Sequence, residues 1–397
     1  MNDVEFRRAT TLPAASLCVG VGHLENPREI QGLMHFLEHM VFMGSEKYPK
    51  ENAFESFINK CGGCDNARTD YESTNFFFSI EESHFKEALD MFAQFFISPL
   101  LKKEAMQRER KAVHSEFQNR VDSDECRKHQ ILADLANADH PISFFKEGNE
   151  KTLQLEISDD ELNSKLHDLR RKYYTAQFMT LTVQARETLD VLQDIVIPNN
   201  GLEKPTYESL GFPYSKEKFH RLLKIIPVDD EHILELNWVF SPLHKYYESK
   251  PLFYIAHFLG HEGYGSLLSY LKRSLYICSQ IYSVWAFSLT AGNGENGLDK
   301  NSICEMFRVT IHLTDEGLLH VKDIIKYVFE YLNLLKKETI HEGLVLELHK
   351  IAQIEFDHSE ELNPLGNVVY SSEMMQIYPM KHIITGPSLF LKNDTSI

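Results

Sequence analysis

The chain has no apolar run long enough to cross a bilayer. Its longest nearly uninterrupted one, Met91 to Leu101, is about half of the roughly 20 residues that a membrane helix needs. The opening stretch, MNDVEFRRATTLP, lacks the apolar core of a secretory signal. Positive charge is scarce: 41 Lys and Arg stand against 58 Asp and Glu, for a net charge of −17. That balance argues against nucleic acid and anionic membrane surfaces as partners, and it suits attraction of basic ligands through a long-range field. Cysteine is scarce too. Six cysteines (Cys18, Cys61, Cys64, Cys126, Cys278, Cys304) spread over 397 residues are no disulfide framework. Cys61-Gly-Gly-Cys64 has no second pair with which to complete a structural zinc site, so free thiols in a reducing compartment, the cytoplasm, are expected.

What is present reads as a globular protein: 43% apolar and 25% charged residues. The length fits about two domains of roughly 200 residues. Two segments echo each other. Met34-His-Phe-Leu-Glu-His39 returns, about half a chain later, as Ala256-His-Phe-Leu-Gly-His261. After each comes a strand-like run leading into an amphipathic helix, over Asn75 to Phe96 and over Met306 to Leu335. After each of these comes a charged helix, Lys102 to Asn119 and Glu342 to Asp357. A plan used twice predicts an α+β protein of two similar domains, each a mixed or antiparallel sheet covered by helices. The Pro/Gly/Asn-rich stretch 198–205 is the natural linker, giving domains 1–197 and 206–397.

The first echo carries chemistry. With Asn26 as cap and Pro27 at the first helical position, the pattern predicts a helix running through His35, Glu38 and His39. Positions i and i+4 share a helix face and i+3 lies beside them, so two imidazoles can hold one Zn²⁺ while Glu38 points towards its water. A catalytic zinc takes three protein ligands and leaves one position open. The downstream helix offers Glu104, Glu109 and Glu116, the last two on one face. One would bind metal and another would orient a ligand imidazole. In the second echo Gly260 stands where the glutamate would be, so the second domain reads as non-catalytic.

The stretches HFLEHMVFMGSEKYPKEN, CGGCDNARTDYESTNFFF, KEALDMFAQFFISPL, RERKAVHSEFQ, GHEGYGSLLSYLK and EFDHSEELNP together resemble the pitrilysin family of zinc peptidases, over almost the whole chain. The resemblance implies a zinc endopeptidase with one Zn²⁺ per chain, His35, His39 and Glu116 as ligands, Glu38 as general base and Glu109 as the supporting carboxylate. It implies that Asn66 and Ala67 bind the substrate main chain as an added strand, and that His257, Gly260, His261 and Gly263 belong to a segment that anchors substrate N-termini. Peptides cut at basic or dibasic sites are the expected substrates.

Departures from the family pattern are also expected. The chain begins inside an early strand (Ala14 to Val21) and holds two of the family's four domains. A missing C-terminal half, or a second copy of the chain, is therefore an expected partner. The apolar stretch 276–290 looks inserted, and the helix after Asp190 reaches Pro198 early. A non-catalytic half that binds peptides or proteins is the alternative function.

Overall fold

The structure is a computed structural model that describes residues 12–154, 157–187, 204–273, 284–294, 296–338 and 342–392. It is an α+β fold that divides into two compact units. Among the described residues, the first takes those up to 122, 130–206 and 360–384; the second takes 123–129, 207–359 and those from 385 onward. Neither unit is continuous in sequence, unlike the ranges 1–197 and 206–397. The expected linker lies mostly, and the helix after Asp190 wholly, outside the described residues.

In the first unit β1 (Ala14–Val19), β2 (Cys64–Thr69), β3 (Thr74–Ser79) and β4 (Met179–Gln184) form one antiparallel sheet in the order β2-β3-β1-β4. Leu17 pairs with Phe76 on one side and Leu181 on the other, which aligns the apolar face across the strands. On that face pack α1 (Leu33–Val41), α2 (Ala53–Lys60), α3 (Phe85–Ile97), α4 (Lys103–Arg120) and α6 (Asp159–Tyr173); α5 (Asp124–Asp134) is divided between the two units, its residues 124–129 grouping with the second. The core between them is rich in phenylalanine. Phe54, Phe78, Phe92 and Phe95 meet edge-on or tilted, with Phe54–Phe95 centroids 5.0 Å apart and Phe78–Phe92 centroids 5.1 Å apart. Such pairs add about 0.5–1.5 kcal/mol each beyond the area they bury.

The second unit holds α7 (Lys216–Phe219), β5 (Ile233–Phe240), α8 (Pro251–Gly260), α9 (Leu267–Arg273), β6 (Ala286–Asn293), β7 (Glu305–Leu313), α10 (Asp315–Leu319), α11 (Val321–Lys337) and α12 (Glu342–Asp357). Its sheet has the order β5-β7-β6, again antiparallel. Leu259, Leu268, Val309, Ile311, Ile324 and Val328 form its core. The succession β7–α11–α12 repeats β3–α3–α4, as the echoes predict. The stretch 276–290 is not a surplus connection throughout: from Ala286 it is strand β6, paired along β7, while 274–283 lie outside the described residues.

α13 (Pro364–Ile377) follows α12 in sequence but covers the other face of the first sheet. That face is polar. Asn75 donates to Glu373 at 2.9 Å, Ser16 and Ser372 hydroxyls lie 2.9 Å apart, and Gln376 donates to the Cys18 and Phe178 carbonyls at 3.1 Å. Both faces of β1 are thereby covered, which is why all six of its residues are buried.

The expected start of α1 is corrected. The helix begins at Leu33, not at Pro27, with Gly32 as its cap in the left-handed region at φ 88°. Gly32 passes so close to Gly148 that a Cβ there would lie 2.2 Å from the Gly148 Cα, and the tight turn needed for this approach interrupts any helix from Pro27. Asn26 still caps the helix, but across the turn: its Oδ1 accepts the Met34 N–H at 2.8 Å. Gly32→Ala is expected to lower stability by about 2–5 kcal/mol, summing left-handed strain and overpacking. Denaturant unfolding checks this, and a change under about 1 kcal/mol would refute the close approach.

Candidate metal centre

α1 is buried on nearly every side. Leu33, Met34, Phe36, Leu37, Met40 and Val41 are each at most 1% exposed, which leaves the stripe of His35, Glu38 and His39 as its polar edge. That edge faces α4, where Glu109 is buried and Glu116 half-buried one face-repeat further on. Glu104 is exposed and takes no part.

The Glu116 Oε2 lies 3.5 Å from His35 Nε2 and 3.6 Å from His39 Nε2. Two ligands on metal bonds of about 2.0–2.1 Å at the tetrahedral angle stand about 3.4 Å apart, so these spacings fit one small divalent ion. The three ligand atoms all lie within 4.8 Å of one another. His35 Nδ1–H donates to the Glu147 carbonyl at 2.6 Å, which leaves the Nε2 lone pair for a metal. His39 Nδ1 faces Glu109 Oε2 at 3.7 Å. Sequence spacing left the roles of Glu109 and Glu116 open; the geometry puts Glu116 between the two imidazoles and Glu109 behind one of them.

The charges are tightly coupled. Burial opposes the charged form of His39, but the Glu109 and Glu116 carboxylates outweigh it and lift the imidazole to about 9. Burial likewise opposes a charge on His35, and Glu116 with Glu38 more than offsets it. The two imidazoles hold Glu116 well below the usual carboxylate range. The carboxylates thus favour positive charge between the imidazoles, which a bound metal would supply. Glu38 differs: burial pushes its carboxyl up, opposed by His35 and by the Thr69 hydroxyl, which donates to Oε2 at 2.5 Å.

This stripe lines a cleft of about 530 Å³. Asn66 and Ala67 lie on β2, the edge strand of the sheet, and line the same cleft. His257, Gly260, His261 and Gly263 lie in the second unit. There α8 ends at Gly260 and His261 is already extended, so the second pair keeps its sequence spacing but not its helical geometry. Its rings stand 5.9 Å apart, and His261 Nδ1 accepts the Gly263 N–H at 3.0 Å instead. Sequence reasoning missed Thr69, Arg120, Glu147 and His23. Thr69 sits in a quoted motif beside Asn66 and could have been flagged. Glu147 holds His35 through its backbone carbonyl, for which no residue type is a signal. His23, buried and kept neutral chiefly by burial, has Nε2 3.0 Å from the Thr69 carbonyl and so braces the residue that holds Glu38.

Two imidazoles and a distal carboxylate converging beside a buried carboxyl make the donor set of a mononuclear metal site. Family comparison agrees with that class. The model described as Insulinase (Peptidase family M16) matches residues 7–142, and the one described as Peptidase M16 inactive domain matches 163–350. The chain belongs to the M16 family of peptidases. Nardilysin of Rattus norvegicus is 42% identical over 399 residues, covering 98% of this chain and 34% of that protein. Insulin-degrading enzyme of Drosophila melanogaster is 36% identical, covering 97% and 38%. A crystal structure of pitrilysin superposes with a TM-score of 0.88 at 26% identity, covering 98% of this chain and 40% of that one. The chain therefore spans a little over a third of the length of these curated relatives. Among the described residues no helix is long and apolar enough to cross a membrane.

Thr69→Val tests the hold on Glu38. A hydroxyl donating to a carboxylate favours its charged form, so removing it should raise the Glu38 pKa further. Carboxyl-carbon NMR titration of the metal-free protein reads this directly; an unchanged or lowered value would refute the contact.

Proposed function

We propose that the chain is the catalytic portion of a zinc-dependent endopeptidase, with His35, His39 and Glu116 as ligands and Glu38 as general base. The observation that carries this is the convergence of three ligand atoms within 4.8 Å of one another, with Glu116 Oε2 3.5 and 3.6 Å from the two imidazoles, beside a buried, hydrogen-bonded carboxyl. Zn²⁺ bound there lowers the pKa of water and polarises a carbonyl. Glu38, held by Thr69 and pushed up by burial, is suited to take the water proton and pass it to the departing amine. Glu109 orients the His39 imidazole. The free edge of β2 at Asn66 and Ala67 binds an extended peptide as an added strand.

We read the substrates as basic peptides. The net charge is −17, and the cleft wall includes Glu55 and Asp65, the latter lifted to about 6 by burial and by Glu55. Two carboxyl groups on one wall, Asp65 half-buried and Glu55 exposed, favour a cationic side chain beside them. The segment from His257 to Gly263, with His261 exposed, is read as an anchor for substrate N-termini, and the thiol chemistry of the chain suits the cytoplasm. Because the chain spans only part of its relatives, a further half or a second copy is the proposed partner. For the same reason the second reading is a half-enzyme that binds peptides without turning them over.

Cleavage of a quenched dibasic peptide separates the two. Chelator-sensitive cleavage is expected, with kcat about 10²–10⁴-fold lower in Glu38→Gln, the usual contribution of a general base. Peptide binding that persists with no chelator-sensitive or Glu38-dependent rate would leave the binding reading. His39→Ala is expected to abolish stoichiometric zinc binding, read by metal analysis after dialysis; retained zinc would place the metal elsewhere.

A further inference from the structure

Arg120 is the last residue of α4, one turn beyond Glu116. Its Nη2 lies 2.8 Å from Glu116 Oε1, and its Nη1 lies 2.9 Å from Glu147 Oε2. The two oxygens of Glu116 are thus divided: Oε1 is held by the guanidinium while Oε2 faces both imidazoles. Glu147 in turn presents its backbone carbonyl to His35 Nδ1. The contacts close a ring, from Glu116 through Arg120 and Glu147 to His35 and back to Glu116, across two helices and the turn at Gly148.

We propose that Arg120 is a positioning residue of the metal centre, fixing Glu116 to offer one oxygen and tying it to the turn that orients His35. This rests on the reading of His35, His39 and Glu116 as zinc ligands. A plain surface pair at i,i+4 on a helix end contributes little and needs no second partner. Here the second partner lies 27 residues away and is the residue whose carbonyl sets the His35 tautomer. The planar fork of arginine can hold two carboxylates at once, whereas a lysine is a point charge. One effect opposes the proposal: a guanidinium near a dication repels it. Arg120 is about half exposed, so solvent screens that repulsion, while Glu147 offsets the charge. Positioning and repulsion predict opposite signs, which makes the test sharp.

The test is zinc affinity of the full chain, by competition with a chromophoric chelator, beside the visible spectrum of the Co²⁺-loaded protein. Partners that orient metal ligands typically contribute 10–100-fold in affinity, so Arg120→Ala should weaken zinc about 10-fold and alter the Co²⁺ spectrum. Arg120→Lys should recover only part of the loss. Glu147→Gln, which keeps the backbone carbonyl, should weaken binding similarly, and the double variant should be no weaker than the worse single one. Thermal unfolding of the chelated proteins identifies any variant that fails to fold; Glu147→Gln and Arg120→Lys then carry the comparison. Affinity within twofold of the parent, or higher, in Arg120→Ala with an unchanged Co²⁺ spectrum would overturn the proposal. If the parent and His39→Ala bind zinc alike, the metal reading itself fails and the Arg120 role with it.

Discussion

The constraint on which the first unit depends is the burial of α1. A short helix whose Leu33, Met34, Phe36, Leu37, Met40 and Val41 are all buried has one orientation that leaves its polar residues a route to partners. His35, Glu38 and His39 occupy that one stripe, and α4 closes on it. Burying His35 and Glu38 and half-burying His39 is costly unless each finds a partner, and each does: Glu147 and Glu116 for His35, Thr69 for Glu38, Glu109 and Glu116 for His39. The apolar packing thus aims the site, and the charge pairing makes that packing tolerable.

The second unit repeats the plan of the first with a different residue at the position of Glu38. Its sheet, α8 and the α11–α12 pair follow the first unit's order. Gly260 replaces the glutamate, and the helix stops there, leaving His261 extended and exposed. Glycine ends helices readily because it carries the largest backbone entropy cost in them. Without a carboxylate at that position, the stripe of the first unit has no full counterpart here. The inactive-domain model begins at residue 163, inside α6 of the first unit, so the two family models and the two compact units divide the chain differently.

The first sheet is fastened differently on its two faces. One face is held by phenylalanine packing, which tolerates small shifts. The other is held to α13 by directed hydrogen bonds among Ser16, Asn75, Ser372, Glu373 and Gln376, which do not. Each such bond contributes only about 0.5–1.5 kcal/mol net, but an unpaired buried partner costs about 1–3 kcal/mol, so the set specifies one position for the helix. Arg68 of the edge strand joins the same set through Glu373, which ties the peptide-binding edge proposed for β2 to α13.

Local pattern alone determined the α+β class, the repeated strand–helix–helix plan, the span of α12 and the pairing of His35, Glu38 and His39 on one helix face. These follow from periodicities of 3.6 and 2 residues, which a single strand of sequence displays. Two things were decided only in three dimensions, and a third was left open by spacing. Asn26 caps α1 from across a turn, because Gly32 and Gly148 approach too closely for the helix to start at Pro27. α13 leaves its sequence neighbours to cover the first sheet, because the complementary polar groups lie there. Spacing left Glu116 and Glu109 open and the family resemblance implied Glu116; it is Glu116 that meets both imidazoles where α4 packs against the stripe of α1. Residues distant in sequence carry no mutual signal in one chain; only packing brings a carboxylate on α4, a carbonyl at Glu147 and a hydroxyl at Thr69 to the same stripe.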